Sequence, residues 1–333
     1  RTGRAPTARR ASRSALFAGT GYFALAMFWI VDPFLVEPEI YGWMAPFAVA
    51  ALCGGIGLFW GAAGLLYRVI AGARLDGRPV RPLVFAACFG LLEWMRGHVL
   101  TGFPWNLPGE VWRAGSAPSQ AASALGAYGL SVVTVGLAAA PALWFGEGER
   151  RAKGFALAAA VVVLAGLYGF GAWRLSQPGP PDQATRVRIV QANIDQGEKW
   201  RPENLDGVLD AYLRLTSGPG IERVDAVIWP EGAIPSAAND YLGADVVRRR
   251  RVAAALRPGQ TLLTGAFRLE PNGTGGVRAY NTFLGLQRVQ GPDLLLTAVY
   301  DKHRLVPLGE FLPLRPLLEP IGFVSLVHAP ADF

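Results

Sequence analysis

The chain has 333 residues, 51% of them hydrophobic and 17% charged, with a mean hydropathy of +0.27 and a formal net charge of +7. That balance is too apolar for an ordinary soluble protein, and the length allows about two domains. The basic residues cluster between long apolar runs, which reads as membrane-flanking charge and excludes a groove for nucleic acid.

Residues 1–14 carry Arg1, Arg4, Arg9, Arg10 and Arg13 and no acid. They lack an initiating Met and a short apolar core with a cleavage site, so they read as a basic loop and not as a signal peptide. A bilayer crossing takes about 20 apolar residues. Five candidate spans follow, over 15–31, 43–67, 82–103, 120–145 and 154–173, making 15–173 a multi-span α-helical membrane domain. Gly57-x-x-x-Gly61 in the second span predicts a close helix contact. Cys53 and Cys88 lie inside spans and read as small buried hydrophobes, not as a disulfide framework or a nucleophile.

The connecting segments set the orientation. The side of the N-terminal loop holds its five arginines together with Arg68, Arg74, Arg78, Arg81, Arg150, Arg151 and Lys153. The other side holds Asp32, Glu37 and Glu39, with Arg113 as its one basic residue. The positive-inside rule makes the first side cytoplasmic, and five crossings place everything after Trp173 on the far side.

Residues 174–185, with Pro178, Gly179, Pro180 and Pro181, form a linker. Beyond it the pattern becomes that of an α/β domain over 186–333. Strands are expected over 186–193, 225–229 and 261–267, and helices over 202–216 and 241–256. A Pro/Asn/Gly turn over 270–276, including Thr274, precedes two strands over 279–288 and 294–300 that form a hairpin around Gly291-Pro292.

Two of these strands deliver charges into turns bounded by Pro and Gly. One ends in Trp229-Pro230-Glu231-Gly232. The other ends in Tyr300-Asp301-Lys302, followed by Leu305-Val306-Pro307-Leu308-Gly309-Glu310 and then Phe311-Leu312-Pro313. Turns fixed on rigid strands commonly carry reactive side chains. Lys is scarce here: Lys153, Lys199 and Lys302 stand against 29 arginines. A compact, tunable ammonium is not replaced by guanidinium in acid–base work. A Glu and a Lys converging from two strand ends supply a general base and an electrostatic stabiliser for a developing oxyanion.

Trp229-Pro230-Glu231 together with Tyr300-x-Lys302-x-x-Leu305-Val306-Pro307-x-Gly309-Glu310 resembles the nitrilase (carbon–nitrogen hydrolase) superfamily. The closer resemblance is to the apolipoprotein N-acyltransferases, integral membrane enzymes that N-acylate bacterial lipoproteins. Glu93-x-x-Arg96-Gly97 with Thr101-Gly102-Phe103-Pro104-Trp105-Asn106, Gln191-x-Asn193, Gln196-x-x-Lys199-Trp200 and Tyr280-Asn281-Thr282 carry the same resemblance. It implies an αββα sandwich, here incomplete at its C-terminus, standing in the periplasm on a bacterial inner-membrane domain. It also implies a Glu-Lys-Cys triad, of which Glu231 and Lys302 match the first two members, and a supporting role for Glu310.

Trp200 then lines the acyl pocket or merely packs a loop. Trp105 is an aromatic-belt anchor or part of the lipid entrance. Asn281 floors the site. Glu93 and Arg96 are a structural ion pair or lie close to substrate. The implied partners are a membrane phospholipid as acyl donor and a diacylglyceryl apolipoprotein as acceptor, with no nucleic acid. No cofactor is implied, and His98, His303 and His328 have no metal-ligand spacing.

The implied chemistry is acyl transfer through a Cys thioester to the α-amino group of the acceptor. No Cys follows Cys88, so the nucleophile is absent from this chain. With the interior-like start at Arg1, this predicts a fragment lacking both ends and inactive by itself. Two alternatives remain open: a membrane-anchored nitrilase-type amidase using water as acceptor, and a non-catalytic lipid-binding relative.

Overall fold

The structure, a computed structural model, describes residues 7–35, 38–72, 75, 78–99, 102–146, 148–179, 181–182, 184–273, 276–306, 310–311, 316 and 320. Of the residues singled out above, Arg1, Arg4, Glu37, Arg74, Thr101, Pro180, Thr274, Pro307, Leu308, Gly309, Leu312, Pro313 and His328 lie outside the described residues. The chain divides into two compact units, Arg1–Pro180 and Pro181–Phe333.

The first unit is helical, with α1 (Ala8–Ala26), α2 (Pro38–Tyr41), α3 (Ala45–Ala71), α4 (Arg81–Arg96), α5 (Ala122–Ala139) and α6 (Arg150–Ser176). Thr7 caps α1, its hydroxyl accepting from the Arg10 amide at 3.3 Å. Among the described residues, three helical stretches are long and apolar enough to cross a membrane: Pro38–Ala71, Pro118–Phe145 and Arg150–Ser176. They cover the expected spans over 43–67, 120–145 and 154–173. The span expected over 15–31 falls on α1 and the turn Phe28–Leu35, a pair bent by 52°. The remaining one, over 82–103, holds only the 16-residue α4. At 1.5 Å per residue that is about 24 Å, short of a core of about 30 Å. The helix ends where the chain turns back, with the Phe103 amide donating to the Arg96 carbonyl at 2.8 Å.

Small residues decide how α1 meets α3. A methyl group on Gly57 would lie 2.6 Å from Thr20 Oγ1, and one on Gly64 would lie 2.8 Å from the Ala11 carbonyl. With Gly61 between them, the two backbones approach closely, as the small-residue spacing predicts.

The second unit is α/β, with β1 (Val187–Ile189), α7 (Gln196–Lys199), α8 (Leu205–Thr216), β2 (Ala226–Trp229), α9 (Val246–Ala254), β3 (Thr261–Pro271), β4 (Val277–Arg288) and β5 (Leu294–Asp301). The five strands lie side by side in sequence order. β1, β2 and β3 are parallel, and β3, β4 and β5 antiparallel. The strand expected over 186–193 shrinks to three residues because the edge strand pairs only with β2 and Asn193 turns the chain at φ 50°. The helix expected over 241–256 divides into a π-helical turn, Asn239–Ala244, and α9, which Asp245 caps by accepting from the Arg248 amide at 2.9 Å.

Side chains alternate across the sheet. Val227, Trp229, Leu262 and Leu284 point to one face and pack against Leu209 and Tyr212 of α8 and Val252 of α9. Full burial of Val227 and Leu262 contributes roughly 1.5–3 kcal/mol each. The Trp229 indole donates to Thr216 Oγ1 at 2.9 Å, so its polar atom is satisfied inside that layer. The opposite face leaves Val187, Ile189, Phe283, Leu295 and Tyr300 exposed.

Candidate active site

Four of the expected residues meet at one end of this sheet. Pro230 offers no amide to the ladder and ends β2. The next residues form a turn closed by the Ala233 amide on the Pro230 carbonyl at 3.2 Å, with Gly232 at φ 62°. The turn lies across β3 at Gly265, where a methyl group would stand 2.5 Å from the Glu231 Cα and 2.9 Å from the Pro230 carbonyl. Gly265 therefore sets how closely Glu231 approaches the sheet. It escaped the sequence reading, although an isolated Gly inside a strand is itself a signal of close backbone approach.

Lys302 follows β5 directly, and its amide extends the ladder by donating to the Asn281 carbonyl at 2.8 Å. Asn281 and Lys302 consequently project from the same sheet face. The Lys302 ammonium donates to Glu231 Oε1 at 3.1 Å and to Glu310 Oε1 at 2.8 Å. The Asn281 amide donates to the same two oxygens, at 2.7 and 2.6 Å. Two carboxylates are thus bridged twice, by an ammonium and by a neutral amide. Glu310 is further tied by its Oε2, which accepts from the Val306 amide at 2.7 Å.

Partial desolvation by itself would raise the Glu231 carboxyl, but the hydrogen bonds from Asn281 and Lys302 outweigh it and hold the group below its ordinary value. Desolvation would likewise lower the Lys302 ammonium. Glu310 and Glu231 reverse that and hold it above its ordinary value. The Glu231 side chain is 64% exposed, against 31% for Lys302 and 12% for Glu310. Among the described residues only its Oε1 receives a hydrogen bond, which leaves Oε2 for an incoming proton. An ionised, accessible carboxylate held beside an ammonium is equipped for proton abstraction with charge stabilisation at the same place.

Trp200 lies outside this hydrogen-bonded cycle, and the Lys199 ammonium sits over its ring at 5.7 Å from the centroid. In the helical unit, Glu93, Arg96 and Trp105 form a separate group. Arg96 Nε and Nη2 bind Glu93 Oε1 and Oε2 at 3.1 and 2.7 Å, and the Trp60 indole donates to Oε1 at 2.9 Å. Arg96 Nη1 donates to the carbonyls of Phe103 and Trp105. The pair thereby fastens the Gly-Phe-Pro-Trp loop to α4. The Trp105 ring is half exposed and leans on Trp29, with 5.2 Å between centroids. Cys53 and Cys88 are buried in the same unit. Among the described residues, no group of three or more His, Cys, Asp or Glu is placed to hold a metal ion.

Membrane-length helices joined to a mixed α/β unit that carries a charged, acid–base-competent cluster describe a membrane protein with an enzyme-like site. Residues 2–140 match the apolipoprotein N-acyltransferase N-terminal domain. The chain is 50% identical over 318 residues to an apolipoprotein N-acyltransferase of Caulobacter vibrioides, covering 95% of this chain and 58% of that protein. Proteins of the same name from Allorhizobium ampelinum and Rhodopseudomonas palustris are 36% and 35% identical, each over 97% of this chain and 60% of its own length. The chain is thus similar to apolipoprotein N-acyltransferases over nearly all of its length. It spans about three-fifths of the length of the curated relatives it matches.

Proposed function

We propose that the native protein transfers an acyl chain from a membrane phospholipid to the α-amino group of a diacylglyceryl apolipoprotein. The observation that carries the reading is the doubly bridged cluster of Glu231, Asn281, Lys302 and Glu310 in a chain similar to these enzymes. Glu231 takes the proton of a Cys thiol that is not among these 333 residues, and the thiolate attacks the phospholipid ester. Lys302 stabilises the tetrahedral oxyanion, and collapse breaks the ester C–O bond, with Glu231 returning its proton to the departing lysophospholipid oxygen, and leaves a thioester. The acceptor amine then attacks the thioester, its proton passes to Glu231, and the thiol is regenerated as the amide forms. Glu310 and Asn281 keep the base and the ammonium in register. Trp200 and Trp105 contact the lipid substrates.

In the proposed layout, residues 1–14 are a cytoplasmic loop and 15–173 a membrane domain of about five helices. Residues 174–185 form a linker, and 186–333 belong to a periplasmic nitrilase-like domain in a bacterial inner membrane. One helical layer and one exposed apolar face on the sheet support an αββα sandwich. The test is reconstitution of the native protein with phospholipid and a diacylglyceryl lipopeptide, followed by mass spectrometry. Expected are an N-acylated peptide, lysophospholipid and a thioester-modified Cys. Hydrolysis of a soluble amide with no lipid-dependent acylation would overturn the reading in favour of an amidase.

A further inference from the structure

Lys199 is a second cation at the Glu231 turn, and the mechanism above leaves it without a task. A methyl group on Gly232 would lie 3.3 Å from its ammonium, so the amine stands directly against the residue after Glu231. The neighbouring acids hold other partners. Glu198 binds Asn204 Nδ2 at 2.8 Å and Arg201 Nη1 at 3.2 Å, and Asp195 caps α7 through the amides of Gly197 and Glu198. Glu231 Oε1 and Glu310 Oε1 are shared between Lys302 and Asn281. Among the described residues, no carboxylate pairs with Lys199. Burial holds its ammonium below the ordinary lysine value, with no anion to offset the loss of water. The ammonium faces the ring of Trp200.

We propose that Lys199, backed by Trp200, binds the phosphodiester of the glycerophospholipid acyl donor. The inference rests on the acyl transfer proposed above and adds the group that recognises the donor. The phosphate of a glycerophospholipid lies a few covalent bonds from its acyl esters. A cation one residue from the general base is therefore placed to hold the phosphate while an ester reaches Glu231 and Lys302. An unbalanced ammonium with three donors, half withdrawn from water, suits a phosphate oxygen. It does not suit the acceptor, whose reacting end is itself an amine.

The test compares two acyl donors in the native protein: a glycerophospholipid, and a phosphate-free p-nitrophenyl acyl ester presented in the same micelles. Lys199→Gln is expected to raise KM for the phospholipid about tenfold, with kcat within about twofold and the neutral ester unaffected. Lys199→Arg is expected to restore most of the affinity. Equal losses with both donors, or no loss with either, would overturn the proposal while leaving the acyltransferase reading intact. A wild-type protein that uses neither donor would instead strike at that reading. A second measurement needs no variant. A short-chain phospholipid is expected to protect Lys199 from acetic anhydride, read by peptide mass spectrometry, whereas the matching diacylglycerol and inorganic phosphate at equal concentration are not. Protection by inorganic phosphate alone would reassign the subsite to free phosphate. Labelling unchanged by any of the three would remove it.

Discussion

Each unit sets a carboxylate against a cation, and the two pairs are built in opposite ways. Glu93 and Arg96 are 1% and 0% exposed. Both carboxylate oxygens accept, and the guanidinium also holds two backbone carbonyls, so the buried pair is committed to the fold around it. Glu231 and Lys302 are open to solvent, and Glu231 keeps one oxygen uncommitted among the described residues. A fully committed charge organises the backbone around it. A partly committed one is able to exchange a proton. The contrast fits the proposed function, in which the helical pair fastens a loop and the pair on the sheet does chemistry.

The strongest way to break this contrast is to neutralise each carboxylate. Glu231→Gln keeps the shape of the side chain and removes the base. The proposed transfer is expected to fall by about 10²–10⁴, with lysophospholipid release as the readout and the melting temperature nearly unchanged. Glu93→Ala should do the reverse. It leaves Arg96 buried without its counter-ion, which costs about 3–5 kcal/mol and is read as a lowered unfolding transition in detergent. Replacing both as Glu93→Leu with Arg96→Met should destabilise less than the single change, because no lone buried charge remains. A stable Glu93→Ala protein with lost activity would place this pair near substrate instead.

A smaller effect sharpens the helical side of the comparison. Gly64→Leu forces a side chain into the Ala11 backbone, where even a methyl group meets the carbonyl at 2.8 Å. Overpacking of this kind costs about 1–3 kcal/mol, measured by the same unfolding transition. It should leave the charge cluster on the sheet, and hence its pH response, untouched.

Which parts were legible in the sequence follows from what sets each of them. Glu231 and Lys302 could be read because local chemistry places them: each leaves an apolar strand, and Pro230 with Gly232 forces the turn. Their meeting depends on the parallel and antiparallel pairing of β2, β3, β4 and β5, which periodicity does not fix. Asn281 was expected to floor the site. Its two hydrogen bonds to the carboxylates were not legible, because they follow from the hairpin register that aligns it with Lys302 on one face. The short α4 hid for a similar reason. Its apolar run continues past Arg96, but the helix stops where the guanidinium draws in the Phe103 and Trp105 carbonyls, a tertiary event. By contrast, the break before α9 had a local signal, Asp245 followed three residues later by Arg248, whose amide it caps.

The smallest effect, and the one that reports the open pair alone, is the dependence of stability on pH. Glu231 is held below its ordinary carboxyl value in the folded protein. Its contribution is therefore complete above the unfolded value of about 4.3 and is lost as the pH falls through the lower folded value. Lys302 is held above its ordinary value. Its contribution is complete below about 10.4 and is lost as the pH rises through the higher folded value. Between those limits this cluster should add no slope to a plot of melting temperature against pH. Glu231→Gln should remove part of the acid limb and draw the alkaline limb back toward the ordinary lysine value, with Glu310 left as the sole carboxylate on Lys302. Both pair members are partly hydrated, so the difference should also shrink with added salt. Wild-type and variant curves that run parallel through both limbs would mean that the hydrogen bond from Lys302 to Glu231 at 3.1 Å does not persist in solution. The open pair would then lose the preorganisation on which its contrast with Glu93 and Arg96 depends.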